Sequence, residues 1–429
     1  MKKPLQLNSK DCLAPRTHPF KILCYSPYTY FTMHGMREMT ILQAMKLRGA
    51  EVRYVFCNGL FSDCDIFLTC TKDINTPLKC QKCQAQAATL AYELGMEFEW
   101  LGQQIEKEKY IIARKWVDKL ECKDLFRAQF GAWKLGEWVE SSVHTDLRIS
   151  DLDFTNPIVE KKYRSLLYSG LISAFGVTQL LNEYQPDIVF LFNGRMTSLR
   201  VTLELAKEKG VRVITHEIGL MVDTMRLYEN ADCLSLDQIK KTWKNWGNVP
   251  LNKAQIEEIN DFYVQKQQGK RVELKFSPPL QTNDFVLKEL NLNISNPIWV
   301  LFTSSDDELI AAPELHGPLS QKEWIEQTVK FVSEHPEVQL VIRVHPNTAG
   351  SRASRGSNLQ QLHEMEELRD LLPANVIMVM PEDLISSYTL MDICTAGLVY
   401  CSITGLELAC KGKMVLAAAG GYVSESHFQ

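Results

Sequence analysis

Three polar loops in the second half of the chain have the composition of a phosphate-binding site. Each comes directly after an apolar run that predicts a buried strand, at residues 298–302, 338–344 and 398–401. Hydroxyls, backbone amides and a histidine donate hydrogen bonds to phosphate oxygens, and an imidazolium adds positive charge. The residues expected to hold such a ligand are Thr303, Ser304, Ser305, Arg343, His345, Pro346, Asn347, Ser402, Thr404, Gly405 and Glu407.

Each of these loops also has a purely structural explanation. Residues 303–308 could form a helix-capping turn with a solvated acidic tail, and a lone histidine such as His345 is often structural. Thr404 and Glu407 have the spacing of a capping box, in which each side chain bonds the other residue's backbone amide. A capped helix start is nevertheless an anion site too. Three such loops at one edge of a sheet favour a phosphate-bearing ligand.

The loops after predicted strands in the first half carry candidate acid–base groups. His34 follows the first predicted strand and Glu217 follows a later one, so both are candidate general bases, and His345 is a further catalytic candidate. The alternatives are a solvated loop for His34 and, for Glu217, an ion pair with Arg195 that braces two loops. The residues expected to contact a substrate are Asn193, Gly194, Arg195 and His216.

A cluster of cysteines in the first half could bind zinc. Cys57, Cys64, Cys80 and Cys83 lie within 27 residues of one another. Four thiolates suit the tetrahedral zinc of a closed structural site, which has no open position for catalysis. The first pair is more widely spaced than in a zinc knuckle and no histidine lies nearby. Reduced, buried thiols are therefore the alternative.

The order of the predicted elements indicates two α/β domains. A strand, a helix ending at Gly49 and a second strand form a βαβ unit, and the alternation of strands and helices returns twice later in the chain. Residues 84–185 are predicted to be a helical insertion and residues 271–296 a linker. We therefore expect two Rossmann-like doubly wound parallel-sheet domains, at residues 1–285 and 286–429. Such sheets bind ligands at the carboxyl ends of their strands, where the polar loops fall.

Composition excludes several classes of protein. The chain has 429 residues, with 47 Lys and Arg against 52 Asp and Glu, and its net charge of −5 gives no support to nucleic-acid binding. No apolar stretch approaches the roughly 20 residues of a membrane-spanning helix. Residues 4–12 are polar where a signal peptide would be apolar. We therefore expect a soluble, cytoplasmic protein without a transmembrane segment.

The strand-end motifs resemble those of a known enzyme family. The sequences RVHPN at 343–347 and SITGLE at 402–407 are similar to the His-Pro and Ser/Thr-Gly motifs of capsule and surface-polysaccharide glycosyltransferases, including the capsular Kdo transferases. The sequences NGR at 193–195 and EIG at 217–219 resemble first-domain motifs of the same group. The likeness is clearest over residues 187–219 and 297–420.

This resemblance implies a GT-B fold, in which the second domain binds a nucleotide-sugar donor and the first binds the acceptor. In the family these motifs contact the donor nucleotide, which here points to a CMP- or UDP-linked sugar. GT-B enzymes generally need no metal ion for transfer, because a helix dipole and basic side chains stabilise the leaving phosphate. Relatives usually continue with helices beyond the last strand, so the resemblance also implies a minimal or truncated second domain.

The predicted function is therefore a metal-independent glycosyltransferase of surface polysaccharide or glycoconjugate biosynthesis. Its expected partners are the nucleotide sugar and a glycan or lipid-linked acceptor, with peripheral membrane contact and no nucleic acid. If the enzyme inverts, Glu217 or His34 deprotonates the acceptor. Two alternatives stay open: a sugar-nucleotide epimerase on the same frame, which needs no acceptor, and a non-catalytic subunit that keeps the fold and recruits a partner enzyme.

Overall fold

The computed structural model contains two β-sheets, one in each half of the chain. It describes residues 19–28, 32–65, 76–219, 221, 224–270, 277–306, 309, 316–349 and 359–420. The strands of the first sheet are β1 (Lys21–Ser26), β2 (Glu51–Phe56), β3 (Glu99–Trp100), β4 (Ile188–Phe192), β5 (Arg212–Ile218) and β6 (Met225–Glu229). Those of the second sheet are β7 (Ile298–Phe302), β8 (Gln339–Arg343), β9 (Val376–Val379), β10 (Ala396–Val399) and β11 (Met414–Ala417).

Both sheets have the strand order of a Rossmann unit. The first is ordered β3-β2-β1-β4-β5-β6 and is parallel except for the antiparallel β5–β6 pair. The second is ordered β11-β10-β7-β8-β9 and is parallel throughout. In each unit the chain runs to one edge and then crosses back, which leaves a switch point beside β1 and beside β7. Two such units in one chain form a GT-B-like α/β fold, so the predicted fold class is confirmed.

Burial on both faces explains why the central strands are short apolar runs. In β1, Leu23 and Tyr25 pack into one core cluster while Cys24 packs into another. In β7, Val300 and Leu301 likewise belong to different clusters. A parallel sheet covered on both faces needs apolar side chains at consecutive positions, and this is the pattern that the sequence shows.

Helices cover the faces of both sheets. Those of the first half are α1 (Thr32–Leu47), α2 (Thr76–Glu93), α3 (Lys107–Asp118), α4 (Leu135–Leu147), α5 (Pro157–Tyr184), α6 (Thr197–Glu208), α7 (Asp237–Trp246) and α8 (Lys253–Gln267). Those of the second half are α9 (Asn283–Glu289), α10 (Gln321–Ser333), α11 (Leu359–Arg369), α12 (Ser387–Ile393) and α13 (Ile403–Cys410). Within the described ranges, none of these helices combines the length and apolar character that crossing a bilayer requires.

The helical insertion differs from the prediction in its middle. The sequence predicts one helix over residues 125–143, but a 3₁₀ turn at Cys122–Arg127 and an antiparallel bridge between Phe130 and Trp133 precede α4. The rings of Phe130 and Trp133 stack on each other, and both contact the ring of Phe175 on α5. The helical spacing of these aromatic residues therefore reflects packing within a turn rather than a continuous helix.

Two further boundaries differ from those predicted. Helix α1 begins at Thr32, before the predicted start at Arg37, so His34 lies in the first turn of a helix rather than in a loop. Part of the predicted linker is packed, because Val286 on α9 belongs to a core cluster of the second sheet. The Gln281 side chain also bonds the backbone of the chain before α12, at residues 384–386. The predicted join near residue 285 falls inside α9.

Candidate functional site

His34 and Glu217 come together at the carboxyl edge of the first sheet. The His34 Nε2 and Glu217 Oε1 atoms are 3.9 Å apart, which is ion-pair range but longer than a hydrogen bond. The His34 ring packs on Phe192, with ring centres 3.9 Å apart. Burial lowers the pKa of His34 below its ordinary value, and the Glu217 carboxylate opposes that shift. A neutral imidazole held beside a carboxylate can accept a proton from a hydroxyl.

The turn after β4 holds the Glu217 carboxylate in place. Asn193 Nδ2 donates to Glu217 Oε2 at 2.9 Å, and the Ile218 amide donates to Oε1 at 2.8 Å. Asn193 and Gly194 have φ angles of 60° and 77°. A Cβ atom at Gly194 would lie 2.9 Å from Thr215 Cγ2, so both the angle and the space favour glycine. Asn193 and Gly194, predicted to contact a substrate, are thus seen to orient Glu217.

A buried carboxylate that the sequence prediction missed lies behind this pair. Glu38 on α1 accepts hydrogen bonds from the Ser26 hydroxyl at 2.5 Å and the Tyr54 hydroxyl at 2.9 Å. His216 Nε2 lies 2.8 Å from the other carboxylate oxygen, and both side chains are fully excluded from solvent. The His216 ring also stacks on Phe190. His216 therefore presents no surface to a substrate, contrary to the prediction, because its ring is a buried partner of Glu38.

Two more buried carboxylates lie beside the same edge. The Tyr28 hydroxyl donates to Asp65 at 2.6 Å, and Asp146 on α4 lies 3.8 Å from Lys162 Nζ. Burial raises the pKa of both carboxyl groups, and the charge of Asp65 raises that of Asp146 further. Arg195 lowers the pKa of Asp146, so its guanidinium lies near this carboxylate. An ion pair between Arg195 and Glu217, the predicted alternative, is not among the pairs formed by the described residues.

The first two loops of the second sheet bond to each other. The His345 amide donates to the Thr303 hydroxyl at 2.9 Å, which ties the loop after β8 to the loop after β7. Pro346 opens a 3₁₀ turn, in which the Asn347 amide donates to His345 Nδ1 at 3.2 Å. Because Nδ1 accepts, the neutral ring carries its proton on Nε2. The structure thus brings these predicted residues together and makes Nε2 the donor atom of His345.

Two buried glutamines hold the backbone of Ser304. The Ser304 amide donates to Gln321 Oε1 at 2.6 Å, and Gln361 Nε2 donates to the Ser304 carbonyl at 2.8 Å. Gln321, the first residue of α10, also bonds the Asp306 carboxylate. The Ser304 amide, predicted to be a phosphate donor, is therefore already used within the protein. The neighbouring Ser305 is buried as well, and its hydroxyl lies 3.5 Å from Arg148 Nη2.

Arg343 braces the second sheet. Its side chain is 1% exposed, and Nη1 donates to the Met380 carbonyl at 2.5 Å. Burial lowers the pKa of Arg343 to about 10, against the opposing charges of Asp383 and Glu382. This placement does not support the prediction that Arg343 contacts a phosphate, since the guanidinium is buried and bonds the backbone after β9.

The third loop begins helix α13 in a different way from the prediction. Ser402 is the N-cap residue, and its hydroxyl accepts from the Thr404 amide at 3.2 Å. The predicted capping box between Thr404 and Glu407 is wrong because the helix begins before Thr404. Glu407 is buried and pairs with Lys266 on α8. The Gly405 amide donates to the Ser402 carbonyl, so the Thr404 and Gly405 amides both bond within the turn and the helix start would act on an anion through its dipole.

The C-terminus of α4 links the carboxyl edges of the two sheets. Asp146 lies near Arg195 beside the first sheet. Arg148, two residues later, donates to the Asn347 carbonyl at 3.0 Å and contacts the Ser305 hydroxyl at 3.5 Å. Arg148 is 5% exposed and adopts a left-handed conformation with φ of 55°. Helix α4 and its C-cap residue therefore contact the carboxyl edges of both sheets, and Arg148, missed by the sequence prediction, brings a positive charge to the loops of the second sheet.

Two of the cysteines that were predicted to bind zinc lie beside the same glycine. The Gly59 amide donates to Cys57 Sγ at 3.3 Å, and a Cβ on Gly59 would lie 3.0 Å from Cys80 Sγ. Cys64 packs against the core cluster on one face of the first sheet. In the part of the chain that the structure describes, no group of three or more His, Cys, Asp or Glu could hold a metal ion. Zinc binding by Cys57, Cys64, Cys80 and Cys83 stays an untested prediction.

Fold and site together define a two-domain α/β protein of GT-B-like class, with its candidate groups at the strand ends of both sheets. No family model and no curated protein matches the chain. Among solved structures, it is similar to the beta Kdo 2,4 transferase of Thermosulfurimonas dismutans KpsC, at 13% identity over 56% of this chain and 71% of that one, with a TM-score of 0.38. Its similarity to the beta Kdo 2,7 transferase of the same protein has 15% identity, coverage of 59% and 72%, and a TM-score of 0.35.

A third solved structure belongs to an enzyme of another activity. The UDP-GlcNAc 2-epimerase of Neisseria meningitidis, bound to UDP-GlcNAc, has 11% identity over 93% of this chain and 82% of that one, with a TM-score of 0.29. Similarities this distant decide nothing about activity or substrate. The fold assignment rests on the sheet topology.

Proposed function

We propose that the chain is a glycosyltransferase that moves a sugar from a CMP- or UDP-linked donor to a hydroxyl of a glycan or lipid-linked acceptor. The pathway served would be surface polysaccharide or glycoconjugate biosynthesis, as the sequence resemblance implies. The donor would bind at the second sheet and the acceptor at the first.

The observation that carries this proposal is the contact of α4 and its C-cap residue with the two carboxyl edges. One edge holds His34 at 3.9 Å from Glu217, and the other holds the His345 and Ser305 loops, which Arg148 contacts from the first half. Transfer of a sugar needs a proton acceptor for the incoming hydroxyl and hydrogen-bond donors for the leaving phosphate. The first edge offers a proton acceptor and the second offers hydrogen-bond donors, which supports the proposal.

In the proposed reaction the acceptor oxygen bonds to the anomeric carbon as the bond from that carbon to the phosphate oxygen breaks. The hydroxyl proton passes to the His34 ring, and the Glu217 carboxylate stabilises the imidazolium that forms. His345 Nε2 donates to the departing phosphate, the positive end of the α13 dipole stabilises it, and Arg148 adds positive charge. This arrangement suits an inverting enzyme, so the product anomer is part of the test.

The test measures nucleotide binding and turnover separately. A thermal-shift screen of CMP, CDP, UDP and GDP identifies the donor nucleotide, because a ligand that binds only the native state raises its stability. Labelled donor sugars of that nucleotide are then incubated with and without glycan and lipid-linked acceptors, in the presence and absence of a chelator. We expect acceptor-dependent transfer that the chelator leaves unchanged.

Other outcomes would replace the proposal with one of its alternatives. A new sugar isomer formed without acceptor would identify an epimerase. Nucleotide binding with no turnover on any acceptor, equal in wild type and His34→Gln, would indicate a binding subunit. Loss of turnover on chelation would contradict the expected metal independence.

A further inference from the structure

Helix α7 carries tryptophans on one face and lysines on the opposite face. At 100° per residue, Ile239, Trp243 and Trp246 share one side of the helix, and Lys240, Lys241 and Lys244 lie toward the other. Trp243 is 37% exposed and Trp246 is 64% exposed. We call this helix, together with the turn that follows it to Leu251, the tryptophan–lysine surface.

The turn after α7 extends the apolar part of this surface. Val249 and Leu251 are each 52% exposed. Soluble proteins rarely expose contiguous large apolar side chains without a binding purpose. Indole rings favour the boundary between water and hydrocarbon, because each combines a broad apolar face with one polar N–H group. These residues therefore have the composition of a segment that enters an interface.

The charge of the surface indicates which interface it fits. Within α7, three lysines stand against the single aspartate Asp237, although the whole chain has a net charge of −5. Lysines flanking an apolar face attract anionic lipid headgroups while the apolar face enters the acyl boundary. The next helix, α8, also exposes Ile256 but carries Glu257 and Glu258 beside it, which anionic lipid would repel. The surface therefore ends before α8.

We propose that the tryptophan–lysine surface docks the protein on the surface of an anionic lipid bilayer. Trp243 and Trp246 would lie at the level of the headgroups, and the lysines would contact lipid phosphates. Under the proposed function, this docking would bring the enzyme to the membrane in which a lipid-linked acceptor resides. The lipid binding itself does not depend on that function.

The test is flotation of the full chain with vesicles of phosphatidylcholine alone and of phosphatidylcholine with phosphatidylglycerol. We expect binding to the anionic vesicles, little binding to the neutral ones, and a fall in binding as salt is added. Two double variants should each weaken binding by at least about tenfold. Trp243→Ala with Trp246→Ala removes the apolar face. Lys241→Glu with Lys244→Glu removes two lysines, each of which contributes about fivefold near the lipid surface.

Matched controls separate the surface from general effects of charge and apolarity. Lys123→Glu with Lys134→Glu changes the charge equally at two exposed lysines far from α7 in the sequence, and Ile256→Ala removes an exposed apolar side chain from α8. Both controls should bind as the wild type does. The proposal would be overturned if the tryptophan variant bound anionic vesicles as well as the wild type does, or if the wild type did not bind them. Self-association that the tryptophan variant abolishes would also overturn it, since a second copy would then be the occupant.

Vesicle binding and glycosyl transfer can fail independently. A chain that floats with vesicles but transfers no sugar leaves the docking surface intact and contradicts only the proposed function. A chain that transfers sugar to a soluble acceptor but does not float leaves the function intact and removes the docking surface.

Discussion

At the carboxyl edge of the first sheet, buried or partly buried carboxylates are bonded by other side chains, whereas at that of the second sheet glutamine and threonine side chains bond the backbone of the loops after β7 and β8. At the first edge, Glu38 is surrounded by Ser26, Tyr54 and His216, and Glu217 lies between Asn193 and His34. At the second edge, Gln321 and Gln361 hold Ser304, and Thr303 holds the amide of His345. The same strand topology thus supports two kinds of polar network, one centred on carboxylates and one centred on the backbone of the loops.

This difference matches the chemistry that each edge would serve. A proton acceptor must be fixed and kept neutral until it acts, and buried charges that are fully hydrogen-bonded provide a rigid frame for it. A nucleotide brings its own negative charge to its site. Neutral hydrogen-bond donors can therefore hold its phosphates, and a single cation from another part of the chain can complement the charge. Arg148 supplies that cation from the other half of the chain.

The largest expected effect comes from removing the proton acceptor of the first edge. His34→Gln should lower the transfer rate kcat by about 10²–10⁴-fold, the usual contribution of a general base. Nucleotide binding, measured by thermal shift, should not change, because it belongs to the second edge. His335→Gln, at an exposed histidine that precedes β8 and so lies toward the amino edge of the second sheet, is the control. A His34→Gln enzyme with more than a tenth of wild-type kcat would show that another group accepts the proton.

The next effect compares the stability of the two edges directly. Glu38→Ala should destabilise the fold by about 3–5 kcal/mol, because it leaves His216 and two hydroxyls buried without their carboxylate. Gln321→Ala should cost only about 1–3 kcal/mol, the range for a neutral buried group. Urea unfolding of both variants measures these free energies. Equal losses would mean that the charged and neutral constructions do not differ energetically.

A smaller effect is expected at the start of α13. Ser402→Ala removes the N-cap hydroxyl and should lower stability by about 1 kcal/mol. The same change should weaken nucleotide binding if the helix start holds the phosphate, and thermal shift with nucleotide measures both effects together. Ser320→Ala, which removes the N-cap of α10, matches the stability loss but should leave nucleotide binding unchanged.

The finest comparison lies in the pH dependence of transfer. The reaction needs neutral His34, whose pKa is lowered by burial. The rate kcat should therefore rise with pH through a midpoint below the ordinary pKa of histidine and level off above it. Glu217 raises this pKa, so Glu217→Gln should move the midpoint to lower pH. A pH–rate profile of both enzymes tests the sign. A shift to higher pH in the variant would contradict the assigned coupling between Glu217 and His34.

The central strands were predictable because their apolar runs serve burial on both faces. Strands β1 and β7 begin and end where the sequence places them. β3 has only two residues, and β6 is an antiparallel edge strand whose sequence alternates Met225, Leu227 and Glu229 with polar or aromatic residues. Neither strand forms an apolar run, so the sequence pattern predicts neither of them. The sequence predicts a later start for α1, at Arg37, because Gly35 lowers the helix propensity of the residues before it.

The sequence predicts which residues of the candidate site follow strands, but it does not predict which side chains contact one another. The sequence located His34, Glu217, His345 and Ser402 from their positions after strands. It did not reveal that Glu38 binds His216, 178 residues away, or that Arg148 reaches Asn347 across 199 residues. Such contacts depend on how helices pack over the sheet, which local pattern does not specify. One signal was present, since Glu38 lies on the same face of α1 as the buried Leu42.

The pairing of β1 with β4 has a consequence for the synthesis of the protein. The Lys21 amide bonds the Asp187 carboxylate, 166 residues away, so the first sheet closes only after the whole insertion has left the ribosome. Distant pairing of this kind closes a long loop and slows folding. In the second unit the corresponding pairing of β7 with β10 spans a shorter stretch, since the Thr395 hydroxyl donates to the Ile298 carbonyl 97 residues away. The nascent chain therefore exposes an unfinished sheet in its first half for longer, and the half with the acid–base groups is the one that would need chaperones.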